Sequence, residues 1–466
     1  MSENATVSFA GHSGALVKNS DGTWKFEGDT DIKVEHLTGT SNGTSDGDYW
    51  KLTTPDGTQY FFGLNELPGW AAGDKQTNSA WTVPVCGTVT TACSGTAATA
   101  APMSTQAYQW NLDYVVDPHG NGEALYYAID TNHYAEHGTG STAYTRAGRL
   151  SEIDYGLQSS NIYGTNAAGD KVTFGYTARC ETGQSGEPSG ACNPASPTAS
   201  YWPDVPWDLN CTSTTSCSSS QISPSFWSTN MLSTVTTDVL SGSSYTQVDQ
   251  WALSHSWPAT GATTTPALWM TQVQQTGGTG TGAISTPATV FSGQALENRV
   301  YVWDGLPKLN KYRINAITTD TGAKIAVNYS QPQCSQTIVA SLAPQTNTHL
   351  CYPQWWTPSG QAAQLDWFNK YVVTSVVSSP VTAGTLLSAT QTSDYFYTGT
   401  AAWRFNQAPG MLDSHRTWSV WAGFSSVEVR SGDPSQPAAE HTTTGREASA
   451  VITGQTTRHF LAEVAD

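Results

Sequence analysis

Four stretches of the chain repeat one pattern: an alternating strand, a turn pair containing glycine, and a second strand ending on an aromatic. They are residues 49–62 (YWKLTTPDGTQYFF), 110–127 (WNLDYVVDPHGNGEALYY), 153–176 (closing on AAGDKVTFGY) and 312–329 (YRINAITTDTGAKIAVNY). Apolar and polar residues alternate through each, which is the period of a half-buried strand. The turn pairs are Asp56-Gly57, His119-Gly120, Gly169-Asp170 and Thr321-Gly322. Glycine reaches positive φ without a Cβ clash, so these pairs predict tight hairpins. Ser20-Asp21-Gly22-Thr23 reads as a further one. Hairpins laid side by side, each burying one face, build a broad surface rather than a single pocket. No long amphipathic helical segment interrupts them. The expectation is an all-β chain of serial antiparallel β-hairpins forming a curved or spiralling sheet.

Four regions are expected along the chain. Residues 1–179 form a first β-hairpin region, residues 180–225 an inserted loop clipped by disulfides, residues 226–432 a second β-rich region, and residues 433–466 a C-terminal tail, read as a short helix or a disordered end. The glycine-rich run at residues 275–290 reads as a flexible link.

Charged residues make up only 12% of the chain, about half the usual share, while there are 18 Trp and 20 Tyr. That balance suits strands and flat stacking surfaces and is the profile of an extracellular β protein. The net charge of −17 repels phosphate backbones, and no basic run exceeds two residues, so nucleic acid is not an expected partner. No stretch of 18 apolar residues exists to span a membrane as a helix. No basic start and apolar core mark residues 1–10 as a signal peptide, and the chain reads as a segment of something longer.

The eight cysteines fall into four local couples: Cys86 and Cys93, Cys180 and Cys192, Cys211 and Cys217, Cys334 and Cys351. No C-x-x-C pair occurs, and no two couples approach a zinc-site spacing. Four loop-closing disulfides account for the even count and the locality, which places the protein in an oxidising compartment, secreted or at the cell surface.

Several longer phrases carry a family resemblance. GRLSEIDYG (148–156) is similar to half of a YD repeat. The turn segments VVDPHGN (115–121) and ITTDTGAKIAVNY (317–329) fit the same unit. YFFGLNELPGW (60–70), WNLDYVVDPHGN (110–121), YWPDVPWD (201–208), LDWFNKYVV (365–373) and RTWSVWAGFSSVEV (416–429) look like the region that precedes the regular repeats in large actinobacterial RHS proteins. Across roughly residues 15–432 the chain thus resembles the RHS/YD-repeat family. The resemblance implies a β-hairpin strip that winds into a hollow shell enclosing a C-terminal toxin or adhesion module. It makes this chain one wall or cap of a polymorphic toxin scaffold, with Arg149, Leu150, Ile153 and Tyr155 as structural residues of the strip. The partners it implies are the rest of a longer RHS-type chain or its toxin passenger.

Candidate chemistry is sparse. His133, Glu136 and His137 fit H-x-x-E-H, in which two histidines on one helical face bind zinc and the glutamate activates water. The flanking sequence favours a loop, so two solvated histidines are the competing reading. No G-x-S-x-G elbow is present. Asp204 and Asp208 stand beside Trp202 and Trp207, a pattern also open to glycosidase work or to a packed, Asp-capped loop. Trp202 and Trp207 are the candidate stacking platforms for a sugar, with cell-surface glycans then as partners. The alternative for aromatics in such numbers is packing of a sheet face. The reading favoured by the sequence is a non-enzymatic scaffold with no cofactor. A carbohydrate-binding surface module is the alternative, and a zinc metallohydrolase a further one.

Overall fold

The computed structural model describes residues 5–27, 31–86, 103–165, 167–182, 187–261, 265–300, 304–381, 390–408, 411–433 and, for the backbone, 451–459. The chain divides into two compact units. The first comprises residues 1–252 and 275–285, the second residues 253–274 and 286–466.

Strands dominate both. In the first unit they are β1 (Ala5–Phe9), β2 (His12–Lys18), β3 (Trp24–Phe26), β4 (Lys33–Leu37), β5 (Tyr49–Thr53), β6 (Gln59–Phe62), β7 (Ala80–Cys86), β8 (Met103–Trp110), β9 (Leu112–Val116), β10 (Asn121–Tyr134), β11 (Thr142–Gln158), β12 (Asp170–Ala178), β13 (Asn230–Ser241) and β14 (Ser244–Ser256). Pairing is antiparallel and serial from β1 through β6, continues from β6 to β9, and then runs in order to β14. β7 and β8 form a separate two-stranded ribbon. β14 ends, and β15 (Trp269–Gly277) begins, within the second unit.

In the second unit the serial pairing runs from β15 to β17 (Thr289–Leu296), then through β18 (Lys311–Thr318), β19 (Lys324–Tyr329), β22 (Val373–Ser379), β23 (Gln391–Thr398) and β26 (Ser426–Asp433) to β27 (Val451–His459). The intervening β20 (Cys351–Trp356) pairs with β21 (Gln364–Asn369), and β24 (Ala402–Arg404) with β25 (Val420–Gly423). Among the described residues the α-helix is a single turn, Gln336–Val339. The all-β reading with consecutive antiparallel hairpins therefore holds.

The turns show why. At residues 54–58 the Gly57 amide donates to the Thr54 carbonyl with φ +88°, while Asp56 accepts from the Thr54 hydroxyl and the Thr58 amide. Asp117 does the same work before β10, accepting the amides of His119 and Asn121 at 2.8 Å each. The 319–323 and 19–23 turns close likewise.

Three local expectations give way. Gly169-Asp170 is not the turn of its hairpin: the connection spans 159–169, and Asp170 already opens β12. The Gly169 carbonyl accepts the Leu240 amide, so this point is part of the ladder. The run 275–290 is not a plain link, because β16 (Ile284–Ser285) folds back on β15 in an antiparallel hairpin. Within the tail, neither helix nor disorder describes 451–459, which pairs along β26 from Ser426↔His459 to Asp433↔Val451.

Candidate functional site

The β1–β6 segment of the first unit has a conspicuous inner face. On β1 and β2 it carries Ala5, Val7 and Phe9, opposite Leu16, Gly14 and His12. On β5 and β6 it carries Trp50, Leu52 and Phe62, all buried. Phe9 packs edge-on against Tyr60 and Phe62 at 4.9 and 5.9 Å, drawing the two walls together. Trp50 is held between His36, stacked at 4.2 Å, and Trp24 and Trp110, both edge-on. Trp110 in turn needs Gly63: with φ +80°, a Cβ there would stand 2.5 Å from its ring.

Small residues on one wall and indoles on the other leave a cavity of about 860 Å³, lined also by Leu112, Tyr108, Tyr127 and Glu27. That is the size range of ligand pockets. Part of its polar lining is engaged within the protein. The Trp110 indole N–H donates to the Asp48 carbonyl at 3.1 Å, and the Asn111 amide to the Ser79 carbonyl at 2.8 Å. The Gln109 amide donates to Asn111, the Tyr108 hydroxyl to the Thr145 carbonyl, and the Tyr127 hydroxyl to the Leu112 carbonyl. Burial pushes the Tyr108 phenol up to about 12. The space is faced by aromatic and aliphatic surface and by the β1–β2 rim with Thr6, Ser8 and Ser13, and Glu27 is the one charged side chain among the lining residues.

Behind this wall, outside the cavity, Asp113 on β9 is fully buried. Its Oδ2 accepts from the Ser79 hydroxyl at 2.6 Å, the Asn65 amide at 2.7 Å and the Thr77 hydroxyl at 2.8 Å. Burial pushes its carboxyl up to about 6, against the pull of those donors. The arrangement clamps the 63–79 segment onto β9. Nothing in the sequence marked it beyond an aspartate at a position of WNLD that a strand would bury.

A second polar group lies in the stretch that carries the GRLSEIDYG resemblance. Glu152 and Asp154 sit two apart on β11, with Lys171 of β12 at 2.7 Å from the first and 3.1 Å from the second. Lys75 reaches Glu152 at 2.7 Å and lies 3.9 Å over the Tyr126 ring. Burial and the neighbouring Glu152 push Asp154 upward. Burial also opposes ionisation of Glu152, but hydrogen bonds from Asp154 and the two lysines hold it down. Two carboxyls this close titrate as a pair. Arg149 pairs with Asp130 at 2.8 Å, and Leu150, Ile153 and Tyr155 lie in the β10–β11 ladder.

The other sequence candidates are scattered. His133 is a strand residue near the end of β10, its amide bonded to the Cys211 carbonyl. Glu136 and His137 lie in one 3₁₀ turn, with His137 at φ +54°. The helix that would put both imidazoles on one face is not formed, and among the described residues no three His, Cys, Asp or Glu side chains group as a metal site.

Trp202 is only 2% exposed. Its indole donates to the Ala191 carbonyl at 3.0 Å, and Trp207 packs edge-on against it at 5.0 Å, backed by Trp227 at 5.5 Å. Trp202 thus has no open face for a sugar, because it is the core of the 180–227 flap. Trp207 is half-buried in the same cluster. Asp204 pairs with Arg179, which anchors the flap to the end of β12.

Cys180–Cys192, Cys211–Cys217 and Cys334–Cys351 are bonded. Cys93 and the side chain of Cys86 lie outside the described residues. No helix among the described residues is long and apolar enough to cross a membrane.

No family model matches the chain, and no curated protein matches it. Solved structures do. The N-terminal domain of the effector protein SpvB from Salmonella typhimurium strain LT2 is 12% identical with a TM-score of 0.30, the match covering 57% of this chain and 78% of that one. A TcdB2–TccC3 structure is 10% identical with a TM-score of 0.32, covering 99% of this chain and 26% of that one. A TcdB2–TccC3–Cdc42 structure is 11% identical with a TM-score of 0.30, covering 90% and 18%. The chain therefore spans about a quarter or less of those two longer chains.

Proposed function

We propose that this chain is a non-enzymatic scaffold, a secreted β-wall segment that holds a polypeptide, in keeping with its resemblance to the RHS/YD-repeat family. The observation that carries the reading is the cavity of about 860 Å³, where aromatic surface is offered while the indole and amide donors of Trp110 and Asn111 are already bonded within the protein. Such a surface favours apolar contact without demanding a particular hydrogen-bonding pattern, which suits a passenger that is not fully folded. The charged residues support the same view. Asp113 is sealed behind the wall, and Glu152 and Asp154 are tied up by Lys75 and Lys171. Three disulfides staple the loops, a device of oxidising compartments.

The test is retention of a client. Immobilised chain is expected to hold reduced, carboxymethylated α-lactalbumin, a permanently unfolded polypeptide, and to ignore the native form. Failure to distinguish the two, or turnover of glycan or peptide substrates by the purified chain, would contradict the reading. Stoichiometric zinc in metal analysis would redirect attention to His133 and His137. Retention of oligosaccharide in place of the unfolded client would favour the glycan alternative.

A further inference from the structure

We infer that the outer edge of β1 and the cavity beside it together form one docking slot for an extended segment of a partner polypeptide bearing an aromatic or branched aliphatic residue. The inference deepens the scaffold reading and rests on it. β1 pairs with β2 along its whole length, from Ala5↔Leu16 to Phe9↔His12. Among the described residues no strand pairs with its other side. An edge of this kind presents backbone donors and acceptors ready to receive a further strand.

The edge does not stand over a packed core. Ala5 to Ser8 border the cavity, and across it stand Trp50, Trp110 and Phe62. A strand added beside β1 sends alternate side chains to the inner face, where Ala5 and Val7 leave the room. A pocket of this size suits either a sugar or an apolar group. Here the donors of Trp110, Asn111, Gln109, Tyr108 and Tyr127 all end on protein acceptors. Side-chain hydroxyls for a sugar are then confined to Thr6, Ser8 and Ser13 on the β1–β2 rim, whereas the wall of Trp50, Trp110 and Phe62 offers its contacts to an apolar side chain. The sole charged lining residue is Glu27, and the chain carries a net charge of −17. The segment that fits is therefore neutral or basic around its apolar residue.

The experiment uses the full chain and a fluorescein-labelled peptide, KTFTFTK, followed by anisotropy. The peptide is expected to bind, and KTGTGTK to bind at least about tenfold more weakly. N-methylating one alternate set of peptide amides should cost about tenfold or more, and methylating the other set little, because only one peptide edge meets β1. Val7→Trp, which fills the cavity, should weaken binding by a similar factor, and Ala5→Phe serves if that variant does not fold. Equal binding of the two peptides, indifference to both methylation patterns, or displacement by cellohexaose would overturn the inference. Retention of unfolded α-lactalbumin with unchanged peptide binding by Val7→Trp would remove the slot and leave the scaffold reading standing. Loss of α-lactalbumin retention in the unaltered chain would remove the scaffold reading itself.

Discussion

Two aromatic clusters of the first unit use the same residue types to opposite ends. Around Trp202 the indoles interlock: Trp207 meets it edge-on, Trp227 backs Trp207, and Arg146 covers Trp227 at 3.6 Å. Two disulfides bracket the flap, and Trp202 is left no open face. Around Trp50 the indoles form one wall only, and the paired strands β1 and β2 supply Ala5, Val7 and Gly14 opposite. The difference lies in the residues opposite. A tryptophan offers a surface where its neighbour across the core is small, and becomes core where that neighbour is another ring.

Truncation should separate the clusters most sharply. Trp202→Ala is expected to destabilise the chain by about 4 kcal/mol, as for a large side chain removed from a packed core. Trp110→Ala, at a wall already facing space, should cost about 1–2 kcal/mol. Chemical denaturation of both variants measures this, and equal losses would erase the distinction. Next in size is the covalent brace. Replacing Cys180 and Cys192 by serine should cost about 3 kcal/mol and make the flap the first site of proteolysis. The aromatic-walled cavity should be untouched, so KTFTFTK binding should persist.

The pH dependence sharpens the comparison from the other side of the wall. Burial raises the Asp113 carboxyl to about 6, from the ordinary 3.8. A raised folded value means that its contribution to stability is fully present below the unfolded value and fades as pH climbs through the folded one. Between pH 4 and pH 7 the chain should lose about 2 kcal/mol through this group alone. Asp113→Asn can still accept from Ser79, Thr77 and Asn65, and should flatten that slope relative to the unaltered chain. Parallel pH–stability curves for the two would show that Asp113 titrates as an ordinary carboxylate. The smallest effect expected is a gain: Ala5→Leu, adding apolar volume to the cavity, should stabilise by about 0.5–1 kcal/mol. A loss would mean that the space beside Trp50 is not available for filling.

Much of the fold was legible because hairpins announce themselves locally. Alternation gives the strand, and Asp56-Gly57, His119-Gly120 and Thr321-Gly322 give the turn. Legibility failed where tertiary pairing decides. Gly169 looked like a turn glycine but belongs to a ladder with Leu240. Residues 451–459 carry no signal as clear as a turn pair, yet β26 gives them a partner. The same reason hid the site. Trp202 and Trp207 drew attention as aromatics in a loop, but a sequence does not show which rings bury each other. The cavity arises from Ala5 and Val7 facing Trp50, residues more than forty positions apart. H-x-x-E-H, by contrast, could be weighed in advance, since its flanks lack the helical period that zinc ligation of that form requires, and β10 runs through His133.

The most direct test of the account is amide hydrogen exchange of the chain with and without unfolded α-lactalbumin. Slower exchange at Ala5–Phe9 in the presence of the client, with the 180–227 flap unchanged, is the expected result. Protection confined to the flap, or to neither region, would contradict the claim that the β1 edge and its aromatic-walled cavity hold the client.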